Sequence, residues 1–429
     1  MRVLVTGAHG FIGGIVVAHL LAAGHEVVPA VRRPRPARDG GPMAGIACDM
    51  AQDVDEARWL PRLAGIDAVV NCAGILRERG RDRFEVVHEH APLALFHACV
   101  SAGVRRVVQL SALGVPADGE FIASKHRADA ALLELDLDAT VLRPSVVYDT
   151  RGSHGGTSLL RAMAALPFVL FLPGTGRQSL QPVAAEELAR IVVAAVERPE
   201  PRGVFEIVGP QPLPLAGYLA AWRAWLGAPQ AREVHVPPAL VWITARIGEV
   251  LGGGPLGLTM QAMLERGNVG APDAWERQHE RFGVATRSLA DMLAAAPAQV
   301  QDRWHARLYF VLPMLRFLVA LLWIGSGLLG LLLPASTVHA MTPDRIFSTE
   351  ATVLLARGSG AADLALGMLC LLRWRPRLVL GAMLSMLAAY TFGIGLLWPQ
   401  HWLDPFGALA KNLPLAAALL VLLATESRR

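Results

Sequence analysis

The chain has 429 residues, enough for two or three domains, and 53% of them are hydrophobic, which is too many for an ordinary soluble protein of this length. A net charge of +4 could suit nucleic acid, but the arginines form no stripe interleaved with aromatic residues, so we expect a membrane surface and not nucleic acid. The four cysteines show no Cys-x-x-Cys spacing, so neither a metal site nor a disulfide framework is indicated.

The N-terminal segment is predicted to form a strand, a glycine-rich turn and a helix. Three apolar residues lead into a turn with a glycine at every third position, and an apolar helical run follows. The first glycine permits a tight turn, the second lets a pyrophosphate approach the backbone, and the third lets the helix pack close to the strand. Backbone N–H groups and a helix N-terminus favour phosphate, so the turn predicts a dinucleotide site; a purely structural turn is the alternative. The predicted cofactor contacts here are Thr6, Gly7, Gly10, Phe11, Ile12 and Gly13.

The second predicted strand, residues 27–31, ends in two arginines where NAD-binding proteins carry an acidic residue for the ribose 2′-hydroxyl. Arg32 and Arg33 can pair with a 2′-phosphate, which favours NADP(H) over NAD(H). Alternatively, they simply begin a solvated loop, residues 34–41. Asp49 follows a short third strand, from which its carboxylate could reach the adenine.

Short β-branched runs alternate with helical patterns as far as residue 150. The predicted strands are 3–6, 27–31, 68–72, 107–110 and 140–143, and the helices between them include 12–23, 87–100 and 124–135. This alternation is typical of a doubly wound parallel sheet, an α/β Rossmann fold that binds ligands beyond the carboxyl ends of its strands. Ala73 and Gly74 follow the strand at 68–72 and would place small residues beside the dinucleotide.

The next part of the chain, about 151–300, is predicted to cover that edge of the sheet and to shape a substrate pocket. It carries predicted helices at 157–166, 185–197 and 215–226 and a strand at 204–208. Within it, Arg177 lies in a glycine-rich loop and could meet an anionic substrate, although a plain surface arginine is the alternative. We place the dinucleotide-binding domain at 1–230 and a helical connector at 231–307, which we expect to brace the soluble part against a membrane.

The remainder, 308–429, is predicted to be a four-span transmembrane bundle. Four apolar stretches lie at 310–333, 352–372, 378–398 and 408–424, and about 20 residues are needed to cross a bilayer. The last is shorter and contains Lys411 and Pro414. Basic residues concentrate before the first span, between the second and third, and at the end of the chain, which predicts an inner-membrane protein with both termini in the cytoplasm. Asp363 lies within a span and needs a partner, for which Lys411 is the candidate.

Several short motifs follow one another along the chain in the order and at the spacing of a known enzyme family. They are Thr6-Gly7-x-x-Gly10-x-x-Gly13, Asn71-Cys72-Ala73-Gly74, Ser111 after a strand, Ser124-Lys125 and Leu142-Arg143-Pro144. With them, about 230 residues resemble an extended or atypical short-chain dehydrogenase/reductase, closest to NmrA-like proteins and the Rossmann-fold accessory subunit of respiratory complex I. The C-terminal part resembles a DoxX-like membrane domain through Trp402-Leu403-Asp404-Pro405-Phe406-Gly407 and Lys411-Asn412-Leu413-Pro414.

The resemblance implies a catalytic tyrosine four residues before a lysine, both on one helix face, with a serine that orients the substrate. Lys125 and Ser111 match that pattern, and the resemblance implies that Lys125 binds the nicotinamide ribose. The tyrosine position is Phe121, which has a ring but no hydroxyl, so tyrosine-dependent carbonyl chemistry is in doubt. His126, His9 and His154 are alternative proton sources, or ordinary surface or core residues.

Two functions therefore stay open at the level of sequence. The first is a membrane-anchored NADP(H)-dependent oxidoreductase whose lipophilic substrate, a quinone, isoprenoid or lipid, enters from the bilayer. The second is a non-catalytic NADP(H)-binding accessory or sensor protein of a membrane complex. Phe121 favours the second, whereas Ser111, Lys125 and a covered pocket favour the first.

Overall fold

A computed structural model of the chain describes residues 1–34, 45–198, 202–251, 257–340, 347–404, 407 and 409–426, without the side chains of 250 and 251. The chain divides into two compact units, Met1–Arg307 and Leu308–Arg429. The predicted limit of the dinucleotide-binding domain at residue 230 falls inside the first unit and stays a prediction.

The first unit is built on a parallel sheet. Its strands in chain order are β1 Arg2–Thr6, β2 Glu26–Val31, β3 Ile46–Ala47, β4 Ala68–Asn71, β5 Arg106–Leu110, β6 Asp138–Pro144, β7 Val147–Tyr148, β8 Val169–Pro173, β9 Ser179–Leu180, β10 Val183–Ala184, β11 Gly203–Ile207, β12 Leu213–Pro214 and β13 Arg232–Val236. Within the described residues seven of them form one sheet in the order β11-β6-β5-β4-β1-β2-β3, all parallel. The predicted doubly wound sheet is confirmed.

Helices pack on both faces of this sheet, and further helices complete the first unit. They are α1 Phe11–Ala22, α2 Glu56–Trp59, α3 Ala91–Ala102, α4 Glu120–Glu134, α5 Gly155–Ala164, α6 Ala185–Glu197, α7 Leu215–Trp225, α8 Pro238–Leu251, α9 Leu258–Arg266, α10 Ala274–Phe282 and α11 Leu289–Ala295, with a π-helical turn at Glu85–His90 and 3₁₀ turns at Leu60–Leu63 and Pro116–Asp118. One core contains Val16 of α1 and Leu188 of α6, and the other contains Phe96 of α3 and Leu132 of α4. Burial on both faces explains why the strands are continuous apolar runs.

Parallel register brings the ends of the strands to one edge. Thr6 at the end of β1 is aligned with Asn71 at the end of β4, and Leu110 at the end of β5 with Leu142 of β6. The strand predicted at 204–208 is β11, which pairs with β6 and extends the main sheet. The sequence pattern assigns this strand to residues 151–300, the part predicted to cover the edge of the sheet. An apolar run identifies a strand but does not show which strand it pairs with.

The second unit is helical. Its helices are α12 Val300–Leu332, which begins in the first unit, α13 Ala335–Ala340, α14 Thr349–Leu371, α15 Pro376–Leu397 and α16 Asn412–Thr425, with a 3₁₀ turn at Pro399–Trp402. Among the described residues, three helices, α12, α14 and α15, are long and apolar enough to cross a membrane. The predicted fourth span forms α16, whose 14 residues extend over about 21 Å and fall short of the hydrocarbon thickness of about 30 Å.

Glycines let α12 and α14 approach closely. A Cβ added at Gly327 would lie 2.5 Å from the backbone N of Leu364, and one at Gly360 would lie 2.9 Å from the carbonyl oxygen of Gly327. Such contacts leave no room for larger side chains, and they are typical of helix pairs in membranes.

The buried carboxylate of Asp363, in the second unit, does not pair with Lys411, the partner predicted from the sequence. Asp363 of α14 accepts hydrogen bonds from Ser326 Oγ of α12 at 2.9 Å and from Tyr390 Oη of α15 at 3.1 Å. The predicted pair with Lys411 is wrong, because Lys411 is exposed and hydroxyl groups of the two neighbouring helices already satisfy the carboxylate.

Some residues used in the loop, orientation and resemblance arguments lie outside the described residues. They are residues 35–41, Arg345, Pro405, Phe406, Arg428 and Arg429.

Candidate dinucleotide-binding and active site

The glycine turn after β1 is held by its own backbone. Gly7 has a φ of +64°, and a Cβ there would lie 2.7 Å from the carbonyl oxygen of Cys72. A Cβ at Gly13 would lie 2.2 Å from the carbonyl oxygen of Gly7, so α1 packs against the turn only if that residue is glycine. Gly10 caps α1 and donates its N–H to the carbonyl oxygen of Gly7 at 2.8 Å. The turn is a backbone cradle at the N-terminus of α1, and the N–H groups of a helix N-terminus favour a pyrophosphate.

Beneath the turn, polar side chains join three neighbouring strands. The Thr6 hydroxyl donates to Asn71 Oδ1, and Asn71 Nδ2 donates to Gln109 Oε1 at 2.7 Å. The N–H of Ala73 also donates to Asn71 Oδ1, at 3.3 Å. All three side chains are buried, so this network fixes the ends of β1, β4 and β5. Thr6 belongs to that network, and its predicted contact with the cofactor stays a prediction.

At the end of β2, the first of the two arginines is held by carboxylates. Arg32 pairs with Asp82 at 2.6 Å and with Asp49 at 3.2 Å. Asp49 also accepts from Gln52 Nε2 at 2.6 Å, and Arg33 is exposed. Sequence reasoning missed Asp82, which lies 50 residues from Arg32 in a segment without periodicity. A 2′-phosphate would therefore compete with two carboxylates for Arg32, whereas the exposed Arg33 meets no such competition in the described residues.

Beyond β4 and β5 the predicted catalytic residues come together. Lys125 of α4 is buried and donates from Nζ to the carbonyl oxygen of Leu110 at 3.1 Å, and Ser111 follows Leu110 in the chain. A Cβ added at Gly74 would lie 3.3 Å from Lys125 Nζ. The Phe121 ring centre lies 6.0 Å from the same nitrogen. Burial lowers the pKa of Lys125, against the opposing charge of Asp129.

Asp129 is a member of the site that sequence reasoning missed. Its carboxylate is buried, accepts a hydrogen bond from Ser111 Oγ at 2.7 Å and pairs with Arg143 at 2.9 Å. A hydroxyl has one proton, so Ser111 presents only lone pairs to a substrate while it donates to Asp129. The sequence could have identified Asp129, because it lies four residues after Lys125 and therefore on the same side of α4.

His88, on the π-helical turn, is a second missed residue. The N–H of Ile75 donates to His88 Nε2 at 3.0 Å, so Nδ1 carries the proton and contacts Ser124 Oγ at 3.1 Å. Burial, followed by the charge of Lys125, lowers the pKa of His88 to about 2. The neutral imidazole also packs against the edge of Phe121, with the ring centres 5.5 Å apart. His88 therefore fixes the loop after β4 beside Lys125, and nothing in its sequence context distinguished it from a core residue of a helix.

The other predicted proton sources have ordinary contacts. The ring of His126 contacts the carbonyl oxygen of Ala112 through Nε2 at 3.0 Å, and burial lowers its pKa. His154 stacks on Phe11 with the ring centres 6.1 Å apart, and His9 is exposed in the glycine turn. Arg177 is exposed as well. None of these contacts distinguishes them as catalytic groups.

Helix α9 covers the side of the site where α4 and α5 begin. A Cβ added at Gly119 would lie 3.2 Å from Thr259 Oγ1, and one at Gly156 would lie 3.2 Å from Met260 Cε. Arg266 at the end of α9 pairs with Asp118 at 2.8 Å. A segment far along the chain therefore shapes the region next to Phe121 and Lys125.

Two family models match the chain. An NAD(P)H-binding family matches residues 7–199, and a DoxX-like family matches residues 320–420. The first match contains the glycine turn, Ser111 and Lys125. The second contains α14 and α15 and, together with the apolar helices, indicates a membrane protein.

Among similar proteins, a 3-diazoavenalumate denitrifying reductase of a Streptomyces species is 30% identical over 56% of this chain and 86% of its own length. A chloroplastic divinyl chlorophyllide a 8-vinyl-reductase of Oryza sativa subsp. indica is 30% identical over 58% of this chain and 66% of its own. A 3-beta-hydroxysteroid dehydrogenase of Mycolicibacterium neoaurum is 33% identical over 29% of this chain. The chain spans only about a third of the length of the first curated relatives that it matches, 35% and 30%.

Solved structures share the fold of the first unit. The human epimerase family protein SDR39U1, solved with NADPH, is 22% identical, has a TM-score of 0.51 and covers 69% of this chain and 99% of its own. Other structures with the same fold hold NAD. The comparisons support a nicotinamide cofactor and leave the choice between NAD and NADP open.

Proposed function

The chain belongs to the NAD(P)H-binding short-chain dehydrogenase/reductase family and carries a DoxX-like domain, and on that premise we propose that it is a membrane-anchored NADP(H)-dependent oxidoreductase of a lipophilic substrate. The proposal places the enzyme in a bacterial-type inner membrane, with the first unit in the cytoplasm, where nicotinamide cofactors are available. Reductases and dehydrogenases among the relatives support the reaction class.

The observation that carries the proposal is the buried ammonium of Lys125. An ammonium has three donors, and among the described residues Lys125 Nζ donates only to the carbonyl oxygen of Leu110. Burying a cation with incomplete hydrogen bonding costs stability, which is typical of a functional group kept for its ligand. The ribose hydroxyls of a nicotinamide cofactor would supply the missing acceptors beside Gly74.

The residues next to Lys125 favour addition of hydride to carbon over carbonyl reduction. A reduced nicotinamide, when bound, supplies a hydride. Reduction of a carbonyl also needs a donor at the oxygen, yet Phe121 has none and the Ser111 proton is directed to Asp129. A conjugated carbon–carbon double bond needs the hydride at one carbon and a proton from solvent at the other. The name of the Oryza relative states reduction of a vinyl group, which agrees with this reaction class.

Activity can be tested with the full-length chain in liposomes. We expect NADPH to be oxidised in the presence of lipophilic acceptors that contain a conjugated double bond, with loss of that double bond in the product. Ser111→Ala should lower the rate and leave NADPH binding unchanged. Bound NADPH that no quinone, isoprenoid or lipid fraction oxidises would contradict the enzymatic proposal.

The preference for NADP(H) is tested by titration with NADPH and with NADH, following the fluorescence of the bound nicotinamide. One charge-assisted hydrogen bond is worth about 1.5–3 kcal/mol, so Arg33→Ala should weaken NADPH binding about tenfold or more. NADH binding should not change. Arg32→Ala is the matched control and should have the smaller effect, because Arg32 already pairs with Asp49 and Asp82. Equal losses for both nucleotides would refute the predicted 2′-phosphate contact.

A second candidate is a non-catalytic NADP(H)-binding accessory or sensor protein of a membrane complex. The same absence of a proton donor at Phe121 and Ser111 favours it. In that case NADPH binds without turnover, and Gly10→Asp, which places a carboxylate in the phosphate cradle, abolishes the cellular role. A cellular role that survives Gly10→Asp would reject nucleotide sensing.

A further inference from the structure

Helix α8, in the first unit, leaves most of its large apolar side chains exposed. Leu240, Trp242, Ile243 and Ile247 are 51%, 53%, 44% and 51% exposed. Of the α8 side chains that the structure describes, only Ala245 is buried. A soluble protein seldom exposes such a contiguous apolar surface unless it binds something.

The exposed side chains form a stripe along the helix. Leu240, Ile243 and Ile247 are spaced i, i+3 and i+7, which places them on one face, and the buried Ala245 lies on another. Arg246 borders the stripe and is exposed, and the exposed Trp242 lies farther around the helix, on the side of Glu249. The 14 residues of α8 extend over about 21 Å, so the stripe is long enough to lie along a surface.

The chemistry of this stripe and its neighbours indicates lipid. The same chain has three helices that are long and apolar enough to cross a membrane, so the first unit is covalently linked to membrane-spanning segments. A helix with aliphatic residues on one face and an arginine at its border is typical of helices that lie in the membrane interface.

We propose that α8 binds the surface of the lipid bilayer. Leu240, Ile243 and Ile247 enter the boundary between headgroups and acyl chains. Arg246, at the border of the stripe, extends its charged end toward lipid phosphates. This adds a second kind of membrane contact to the spanning helices, one made by the nucleotide-binding unit itself.

A hydrogen bond joins α8 to the candidate site. Arg77 Nη1 donates to the carbonyl oxygen of Gly248 at 2.6 Å, and Arg77 lies two residues after Ile75, whose N–H binds His88. The bilayer contact is thus attached to the loop that passes Lys125. The lipid contact of α8 does not depend on the protein being an enzyme.

Fluorescence quenching in liposomes tests the contact with the full-length chain. Ile243→Cys is labelled with a polarity-sensitive dye, and the lipids carry a nitroxide either near the headgroup or near the end of the acyl chain. Val100→Cys on α3 is the matched control, because Val100 is also 44% exposed on a helix of the first unit. The unsubstituted protein, with its own cysteines buried or half-buried, gives the labelling background.

We expect a blue-shifted emission at position 243 and several-fold stronger quenching than at position 100, with the headgroup nitroxide more effective than the deep one. Leu240→Cys and Ile247→Cys should be quenched like Ile243→Cys, and Glu249→Cys less, which would report a helix lying parallel to the membrane. Quenching at 243 no stronger than at 100 would overturn the proposal. A blue shift without lipid quenching would overturn it too, because protein would then cover α8.

Discussion

The two ends of the candidate site are built on different principles. At the phosphate end, Gly7, Gly10 and Gly13 form a cradle from backbone alone, and its geometry depends on the absence of side chains. At the end where we propose that the nicotinamide binds, the site is built from side chains, and Lys125, Asp129 and His88 are buried polar groups there. The first end leaves no room for a side chain at Gly7 or Gly13, whereas the second carries Phe121 where the resemblance to short-chain dehydrogenases implies a tyrosine.

This difference separates binding from chemistry. A backbone cradle binds a dinucleotide whatever reaction follows, so it stays intact when the catalytic residues change. The buried network around Lys125 determines which proton donors are available, and in this chain neither Phe121 nor Ser111 offers one to a substrate oxygen. Variants of the two ends should therefore differ both in the size and in the kind of their effect.

The largest effect is expected for Gly13→Ala. The added methyl would lie 2.2 Å from the carbonyl oxygen of Gly7, and overpacking costs about 1–3 kcal/mol, so the Kd for NADPH should rise up to about 100-fold. Gly14→Ala is the control, because its methyl would lie 3.6 Å from the carbonyl oxygen of Ala8 and alanine stabilises a helix by about 0.5–1 kcal/mol. Similar binding losses in both variants would contradict the argument from the cradle. Nucleotide titration and Tm provide the two readouts.

The next effect is expected for Lys125→Met. Loss of a charged donor should weaken NADPH binding about 10- to 100-fold. Burial lowers the pKa of Lys125 in the folded protein below its usual value of 10.5. Between the lowered pKa and 10.5, the unfolded chain binds this proton and the folded chain does not. The free energy of unfolding of the apoprotein therefore increases as the pH rises toward 10.5. Methionine removes that contribution. The Tm of the wild type should therefore rise, relative to that of the variant, with increasing pH, and a constant difference would refute the buried charge.

A smaller, pH-dependent effect is expected for His88→Gln. The pKa of His88 is about 2 in the folded protein and about 6.5 when unfolded, so the unfolded chain binds the proton between these values and stability is lost as the pH falls below 6.5. The loss from this residue approaches about 1.4 kcal/mol per pH unit. Glutamine should remove that part of the acid destabilisation, as measured by Tm between pH 7 and about pH 5. Identical acid profiles would show that His88 is not the buried titrating group.

The smallest effect on binding is expected for Phe121→Tyr. The ring already lies beside His88 and Lys125, so a hydroxyl should change the Kd for NADPH less than about twofold. The same variant supplies the missing proton donor, and we expect it to increase activity toward lipophilic carbonyl compounds. A large loss of binding would show that the phenyl ring itself contacts the cofactor.

Local patterns in the sequence were sufficient where one segment determines the structure. The strands, the glycine turn with Gly7, Gly10 and Gly13, and three of the four predicted spans are such segments, because periodicity and backbone conformation depend on neighbours in the chain. The fourth predicted span forms a helix of only 14 residues, α16, since the pattern of apolar residues does not show where a helix begins. Phe121 in place of tyrosine was also readable directly, because the family motif lies within five residues.

Contacts between distant segments could not be predicted in this way. The Arg32–Asp82 pair, the hydrogen bond from Ile75 to His88, and the hydroxyl groups of Ser326 and Tyr390 at Asp363 each join residues that no local pattern relates. By itself, the sequence determined that this chain has a dinucleotide turn, a parallel sheet and apolar helices. Only the tertiary structure decided which charges are buried and what they pair with, because burial and pairing arise where separate elements meet.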